Sequence, residues 1–127
     1  MAVLLIAEDD EDIAAVLTRV AKRAGVTVLR APDGQAALEM IEQQKPDALL
    51  TDLGMPRMDG WALIERIRAD PETRDLPVAI LSGQLTPGDP RAAELACAVL
   101  LKPCPNDRLI AAIHELLSHE HDQSCLG

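Results

Sequence analysis

Five side chains that could carry out chemistry stand at the ends of apolar segments in this chain of 127 residues. Glu8 and Asp9 follow the segment VLLIA, and Asp52 follows the segment ALLT. Ser82 follows the segment VAIL, and Lys102 follows the segment AVLL. If these segments are strands of one parallel sheet, their carboxyl ends meet at the edge where such sheets bind ligands. The sequence therefore predicts that carboxylates, a hydroxyl and an ammonium group share a site.

The three acids Glu8, Asp9 and Asp52 cannot all be ionised at one edge without compensation. Two carboxylates about 4 Å apart repel by roughly 4 kcal/mol at an effective dielectric constant of 20, so a shared proton or a cation is needed. Carboxylate, carbonyl and water oxygens suit a hard ion such as Mg²⁺, which typically helps to bind phosphate. The sequence therefore predicts a site that binds Mg²⁺ or Mn²⁺ and, with it, a phosphoryl group.

The acidic run EDDED at residues 8–12 also has a structural explanation. Carboxylates in the first turn of a helix gain about 0.3–1 kcal/mol each from the helix dipole. That stabilisation suffices to explain Asp10, Glu11 and Asp12. It accounts less well for Glu8 and Asp9, which come directly after a buried strand, so both interpretations stay open for this pair.

Asp52, Ser82 and Lys102 each have an ordinary explanation when they are considered singly. Asp52 precedes Gly54 and Pro56 and is typical of a residue that caps the start of a loop, while Ser82 is typical of a turn. Lys102 at a strand end can extend its ammonium group into solvent. Their occurrence in order, after successive strands, favours one joint site.

The elements that position these residues are short apolar strands separated by helices. Runs of four or five apolar residues are typical of a parallel sheet that is covered on both faces. The predicted strands are residues 3–7, 26–30, 48–51, 78–81 and 98–101. The second strand mixes in polar residues and is expected at the edge of the sheet. The fold class is therefore α/β, with a doubly wound sheet of five parallel strands and helices on both faces.

Helical periodicity fills the gaps between the predicted strands. The first helix places one apolar stripe along Ile13, Val16, Leu17, Val20 and Ala24. It is expected to end at Gly25, the second helix before Pro46 and the third before Pro71. A short fourth helix is expected between residues 90 and 96, and the last helix has an apolar stripe between residues 109 and 117.

Composition narrows the classes of function. The net charge is −9 and the only aromatic residue is Trp61, which argues against direct binding of nucleic acid. No apolar stretch approaches the roughly 20 residues that a membrane span needs. Three cysteines without framework spacing favour a reducing cytoplasm. We expect one domain at residues 1–118, a polar tail at 119–127, and solvated histidines at positions 114, 119 and 121.

The ordered set of side chains resembles the receiver domain of two-component response regulators. The similarity extends from residue 3 to about residue 117, and its most specific pieces are residues 52–60 (DLGMPRMDG) and the pair Lys102-Pro103. The resemblance implies a flavodoxin-like strand order, 2-1-3-4-5.

The resemblance also implies a role for each site residue. Asp52 is the phosphoacceptor, which attacks a phosphohistidine on a partner, and Lys102 and Ser82 contact the phosphoryl oxygens. The implied metal ligands are Asp9, Glu8 through a water molecule, the Asp52 carboxylate and the backbone carbonyl of Gly54. Such a domain catalyses its own phosphorylation and dephosphorylation and is not a conventional turnover enzyme.

The implied partners are a sensor histidine kinase or phosphotransfer protein and a downstream protein, with the chain as a monomer or weak homodimer. Val99 and Cys104 stand where receivers usually carry aromatic rings that report phosphorylation. An alternative is therefore a receiver-fold interaction module that acts without phosphorylation. An aspartate-nucleophile phosphatase is disfavoured, because it needs a second acid where Gly54 stands.

Overall fold

The structure is a computed structural model that describes residues 2–53, 58–82, 98–101 and 106–117, with the backbone alone at Ser82 and residues 98–101. The elements in chain order are β1 (Val3–Ala7), α1 (Glu11–Arg23), β2 (Thr27–Ala31), α2 (Gly34–Gln44), β3 (Ala48–Thr51), α3 (Gly60–Ala69), β4 (Val78–Ser82), β5 (Ala98–Leu101) and α4 (Asn106–Leu117).

The five strands form one parallel sheet in the order β2-β1-β3-β4-β5, which confirms the predicted fold class and strand order. The strand β1 lies between β2 and β3 and pairs with both. The order of the strands therefore reverses beside β1. This is the place where open α/β sheets bind ligands, outside the carboxyl ends of the strands.

Each face of the sheet has its own apolar core. Leu4 and Ile6 of β1 pack with α1 and α4, whereas Leu5 and Ala7 pack with α2 and α3. Successive side chains of a strand point to opposite faces, so a strand that is covered on both faces is apolar throughout. This is why continuous apolar runs predicted the strands correctly.

Three details differ from the sequence predictions, the first being that β4 extends one residue further than predicted, to Ser82. The edge strand β2 runs from Thr27 to Ala31, one residue later than predicted. On α1, Val16 is 48% exposed and lies outside the core, while Ala14 and Ala21 are buried beside Leu17. Residues of a helix follow one another at about 100°, so Val16 lies a quarter-turn from Leu17, and the two alanines lie closer to the buried direction.

Aspartates cap the starts of the first three helices, and the helix ends follow the predicted signals. The Asp10, Asp33 and Asp59 side chains accept hydrogen bonds from the first turns of α1, α2 and α3. After α1, Gly25 has a φ of 85°, a conformation that glycine adopts without the penalty of a side chain. The second and third helices end at Gln44 and Ala69, before the prolines, as predicted.

At the amino end of β4, Arg68 holds the turn that leads from α3 into the strand. Its Nη1 donates hydrogen bonds to the backbone carbonyls of Arg74, at 2.9 Å, and Leu76. Burial lowers the pKa of the Arg68 guanidinium from its ordinary value to about 10, and nearby Asp75 partly opposes this effect. A desolvated cation needs such partners, so Arg68 anchors the turn.

Several sequence predictions concern residues outside the described ranges. These are the short fourth helix, the Gly54 carbonyl, Lys102, Cys104, the histidines at 119 and 121, and the polar tail. Among the helices that the structure describes, none combines the length and apolar character needed to cross a membrane.

Candidate functional site

The register of the sheet brings the ends of β1 and β3 to the same level. Ala7 pairs with Thr51, and the next backbone amide, that of Asp52, donates to the Ala7 carbonyl at 3.0 Å. On the other side of β1, the Glu8 amide donates to the Ala31 carbonyl at 3.0 Å. The hydrogen-bonded ladder thus continues one residue past the strands, which places Glu8 and Asp52 side by side at the carboxyl edge.

Three carboxylates lie together at this edge. Glu8, Asp9 and Asp52 each offer one oxygen, and these oxygens lie within 4.8 Å of one another. Glu8 is 1% exposed, Asp52 is half-buried and Asp9 is exposed, so this acidic cluster runs from the core to solvent. At an effective dielectric constant of 20, two charges at this separation repel by roughly 3.5 kcal/mol. The cluster therefore favours a bound cation.

The donor set fits a hard divalent cation. Mg²⁺ binds oxygen ligands at about 2.0–2.1 Å, so two oxygens on one ion are at most about 4.2 Å apart. The 4.8 Å limit of the cluster is close to this value, and small side-chain adjustments span the difference. Carboxylates with room for water on the exposed side are ligands that Mg²⁺ prefers.

The acidic run at residues 8–12 divides into two parts with different roles in the structure. Asp10 Oδ1 accepts hydrogen bonds from the backbone amides of Asp12, at 2.9 Å, and Ile13, at 3.1 Å, and so caps α1. Glu11 and Asp12 lie exposed in the first turn of α1. Helix capping therefore accounts for the last three acids, and the first two belong to the acidic cluster.

The Asp52 carboxylate is held by its own backbone. Asp52 Oδ1 accepts a hydrogen bond from the Leu53 amide at 2.7 Å. The fully buried Thr51 hydroxyl donates to the Asp52 carbonyl at 2.8 Å, which ties this peptide to the end of β3. These bonds orient the side chain of Asp52 at the mouth of the acidic cluster.

The start of α3 packs directly against this backbone. The Gly60 amide donates to the Leu53 carbonyl at 2.9 Å, and a Cβ at Gly60 would lie against the Asp52 carbonyl oxygen and 2.8 Å from Leu53 Cα. Asp59 Oδ1 accepts from the Ala62 amide at 2.8 Å. The sequence pair Asp59-Gly60 therefore caps α3 and permits its close approach to Asp52, a function that the sequence prediction missed.

A second residue that the sequence prediction missed is Arg30, near the end of β2. Its Nη2 donates to the backbone carbonyl of Glu8 at 3.0 Å. The sequence signal that could have indicated this contact is the charged Arg30 side chain at the carboxyl end of the second predicted strand, which was expected to lie beside β1.

The structure does not place the predicted hydroxyl and ammonium groups. Ser82 ends β4 and pairs with Leu101, the last residue of β5, in the backbone register. The side chain of Ser82, together with Lys102 and Gly54, falls outside what the structure describes. Their parts in the site therefore remain predictions.

Comparison with known proteins identifies relatives along most of the chain. The model of the response regulator receiver domain matches residues 4–114. The transcriptional regulatory protein PrrA of Mycobacterium tuberculosis is 34% identical over 117 residues, which cover 90% of this chain and 49% of PrrA. The chain thus spans about half the length of the first curated relatives that it matches.

Solved structures show the same fold. The signal receiver domain of a signal transduction histidine kinase from Syntrophus aciditrophicus has a TM-score of 0.85 and 30% identity, covering 93% of this chain and 91% of that one. The receiver domain of the Francisella response regulator 1452 has a TM-score of 0.85 and 28% identity, covering 93% of this chain and 98% of its own.

Proposed function

The chain belongs to the response regulator receiver domain family, and from this premise we propose that Asp52 accepts a phosphoryl group from a phosphohistidine on a partner protein. The observation that carries the proposal is the acidic cluster, which sets a half-buried, oriented Asp52 carboxylate within 4.8 Å of oxygens of Glu8 and Asp9.

In the proposed reaction, an oxygen of the Asp52 carboxylate forms a bond to phosphorus. The phosphorus–nitrogen bond to the donor histidine breaks, and the imidazole leaves with the bonding electron pair and takes up a proton. The product is an aspartyl phosphate, which water later hydrolyses. Because phosphoryl transfer depends on positioning and on charge stabilisation, an oriented acceptor side chain is the main contribution that the described residues make.

The cation in this proposal is Mg²⁺ or Mn²⁺. When bound, it neutralises charge on the phosphoryl oxygens. Asp9 would bind it directly and Glu8 through water, while Asp52 and the Gly54 carbonyl would supply further oxygens. Lys102 and Ser82 would contact the phosphoryl group from the ends of β5 and β4.

Receiver domains act between histidine kinases and downstream effectors. For this chain we propose a cytoplasmic receiver that takes its phosphoryl group from a sensor histidine kinase or a phosphotransfer protein. Its output would be contact with another protein, by a monomer or a weak homodimer. The similarity to PrrA supports transcriptional control as the process that this contact serves.

The test is phosphorylation by a small phosphodonor such as phosphoramidate, followed by mass spectrometry. We expect one acid-stable, base-labile phosphoryl group on the wild-type chain in the presence of Mg²⁺, and none on Asp52→Asn. Asp12→Asn is the matched control, because it removes one carboxylate from the same acidic run outside the acidic cluster. Equal labelling of the wild type and Asp52→Asn would refute Asp52 as acceptor, and absence of labelling would favour a module that acts without phosphorylation.

A further inference from the structure

We propose that Arg30 is a positioning residue for the acidic cluster, and that its bond to the Glu8 carbonyl sets the affinity of the cluster for a divalent cation. The inference rests on the proposed function of the same site. Its basis is the hydrogen bond from Arg30 Nη2 to Glu8 O, 3.0 Å long and partly buried.

The bonded carbonyl belongs to the peptide unit that joins Glu8 to Asp9. A peptide unit is planar, so holding its oxygen restricts rotation on both sides and thereby restricts the directions of both carboxylate side chains. The neighbouring units are already fixed, because the Glu8 amide bonds to Ala31 and Asp10 caps α1. Arg30 thus holds the plane between two residues of the acidic cluster.

The geometry of the sheet explains why a side chain is needed at this point. One row of the ladder between β1 and β2 begins with the bond from the Thr27 amide to the Ala2 carbonyl and ends with that from the Glu8 amide to the Ala31 carbonyl. At Asp33, two residues after Ala31, the chain leaves the sheet and begins α2, which Asp33 caps. The next acceptor in this row is the Glu8 carbonyl. It accepts a hydrogen bond from the Arg30 side chain in place of one from a strand amide.

The surroundings of Arg30 show that its position carries a cost. Arg30 lines a groove between α1 and β2 together with Thr18, Arg19 and Lys22. Its Nε is buried and makes no hydrogen bond in the part of the chain that the structure describes. Burying an unsatisfied donor is unfavourable. The bond to Glu8 offsets this cost, whereas an arginine that only protected the edge of the sheet from other strands could remain solvated.

The experiment measures the dissociation constant of Mg²⁺ for the whole chain from the fluorescence of Trp61, with Mn²⁺ binding by electron paramagnetic resonance as a second reading. Loss of an outer partner of a metal ligand typically weakens metal binding by about 10- to 100-fold. We expect Arg30→Met to bind Mg²⁺ about tenfold more weakly than the wild type. Arg30→Lys keeps a charged donor and is expected to stay within about threefold.

The matched control is Arg19→Met, which removes the same charge from the same groove and makes no bond to Glu8. Loss of a positive charge by itself favours cation binding, so this variant is expected to bind Mg²⁺ as well as the wild type or slightly better. The proposal would be overturned if Arg30→Met bound Mg²⁺ as tightly as Arg19→Met does.

A second measurement does not depend on metal. The amide of Asp9 belongs to the peptide unit that Arg30 holds. In the metal-free protein, we expect the nuclear magnetic resonance signal of this amide to shift more, and its hydrogen to exchange with solvent faster, in Arg30→Gln than in Arg19→Gln. Equal Asp9 signals in the two variants would refute the role of Arg30. This result decides the question even if Arg30→Met is too unstable for a Mg²⁺ titration. Absence of cation binding by the wild type would instead refute the proposed function of the site.

Discussion

A Cβ atom at Gly60 would lie against the backbone carbonyl oxygen of Asp52, so the first residue of α3 and the proposed phosphoacceptor are in direct backbone contact. The next nearest atom, Leu53 Cα, also belongs to the backbone, and only the third, Leu53 Cδ2, is on a side chain, so a change of side-chain rotamer cannot by itself accommodate a larger residue. The residues that follow β3 and the start of α3 are therefore packed backbone against backbone, and a hydrogen bond from the Gly60 amide to the Leu53 carbonyl joins them.

Gly60→Ala is predicted to lower the free energy of unfolding by about 1–3 kcal/mol, the usual cost of forcing atoms into a packed site. It is also predicted to slow phosphorylation of Asp52, because relief of the contact displaces the Asp52 backbone. Urea denaturation and phosphodonor labelling measure the two effects. Glu65→Ala, an exposed change on the same helix, is the control, and a Gly60→Ala protein as stable as this control would contradict the packing argument.

Asp9→Asn is predicted to stabilise the metal-free protein and to abolish its stabilisation by Mg²⁺. Removing one charge relieves repulsion in the acidic cluster, and the gain is about 1 kcal/mol because Asp9 is exposed and screened. Thermal unfolding in a chelator and in excess Mg²⁺ measures both changes. Asp12→Asn alters the net charge equally but lies in the first turn of α1, so equal behaviour of the two variants would show that the cluster carries no special repulsion.

His114→Ala is predicted to lower the free energy of unfolding by about 1 kcal/mol, the value of a typical hydrogen bond. His114 Nε2 lies 2.9 Å from the carbonyl of Ala24, so it donates to the residue that caps the carboxyl end of α1. The sequence prediction of a merely solvated histidine missed this link. Urea denaturation provides the measurement, and Arg108→Ala on the exposed surface of the same helix serves as control. No difference between the two variants would exclude a stabilising bond.

Arg68→Met is predicted to lower the free energy of unfolding by about 2 kcal/mol, because the carbonyls of Arg74 and Leu76 lose a charged donor. Mg²⁺ affinity should not change, since this turn lies at the opposite edge of the sheet from the acidic cluster. Arg66→Met, an exposed change on α3, controls for the loss of charge. A drop in Mg²⁺ affinity without loss of stability would contradict the assignment of Arg68 to the fold alone.

The sequence was sufficient to predict the strands and the convergence of the three acids, because both follow from short-range patterns. Apolar runs mark strands that are buried on both faces, and parallel pairing then brings Glu8 and Asp52 to one edge. Val16 was misplaced because the periodicity was judged from the larger apolar residues, while the small residues Ala14 and Ala21 occupy the buried stripe.

The contacts that the sequence did not reveal join residues that lie far apart in the chain. Arg30 reaches a residue 22 positions away, and His114 one that is 90 positions away. Both bind backbone carbonyls, which every residue possesses, so no residue type at the receiving position marks the interaction. Such contacts depend on the exact relative placement of elements, and a one-residue difference such as that in β2 is enough to conceal them.

The position of β1 between two strands and two cores has a consequence for the order in which the protein opens. Buried central strands exchange their amide hydrogens only through the largest opening events, whereas peripheral elements open locally at lower free energy. The residues from Leu4 to Ala7 are essentially inaccessible to solvent, and Glu8 continues their ladder. Glu8 is therefore attached to the slowest-exchanging part of the molecule, and fluctuations of the outer helices can occur while its backbone stays in place.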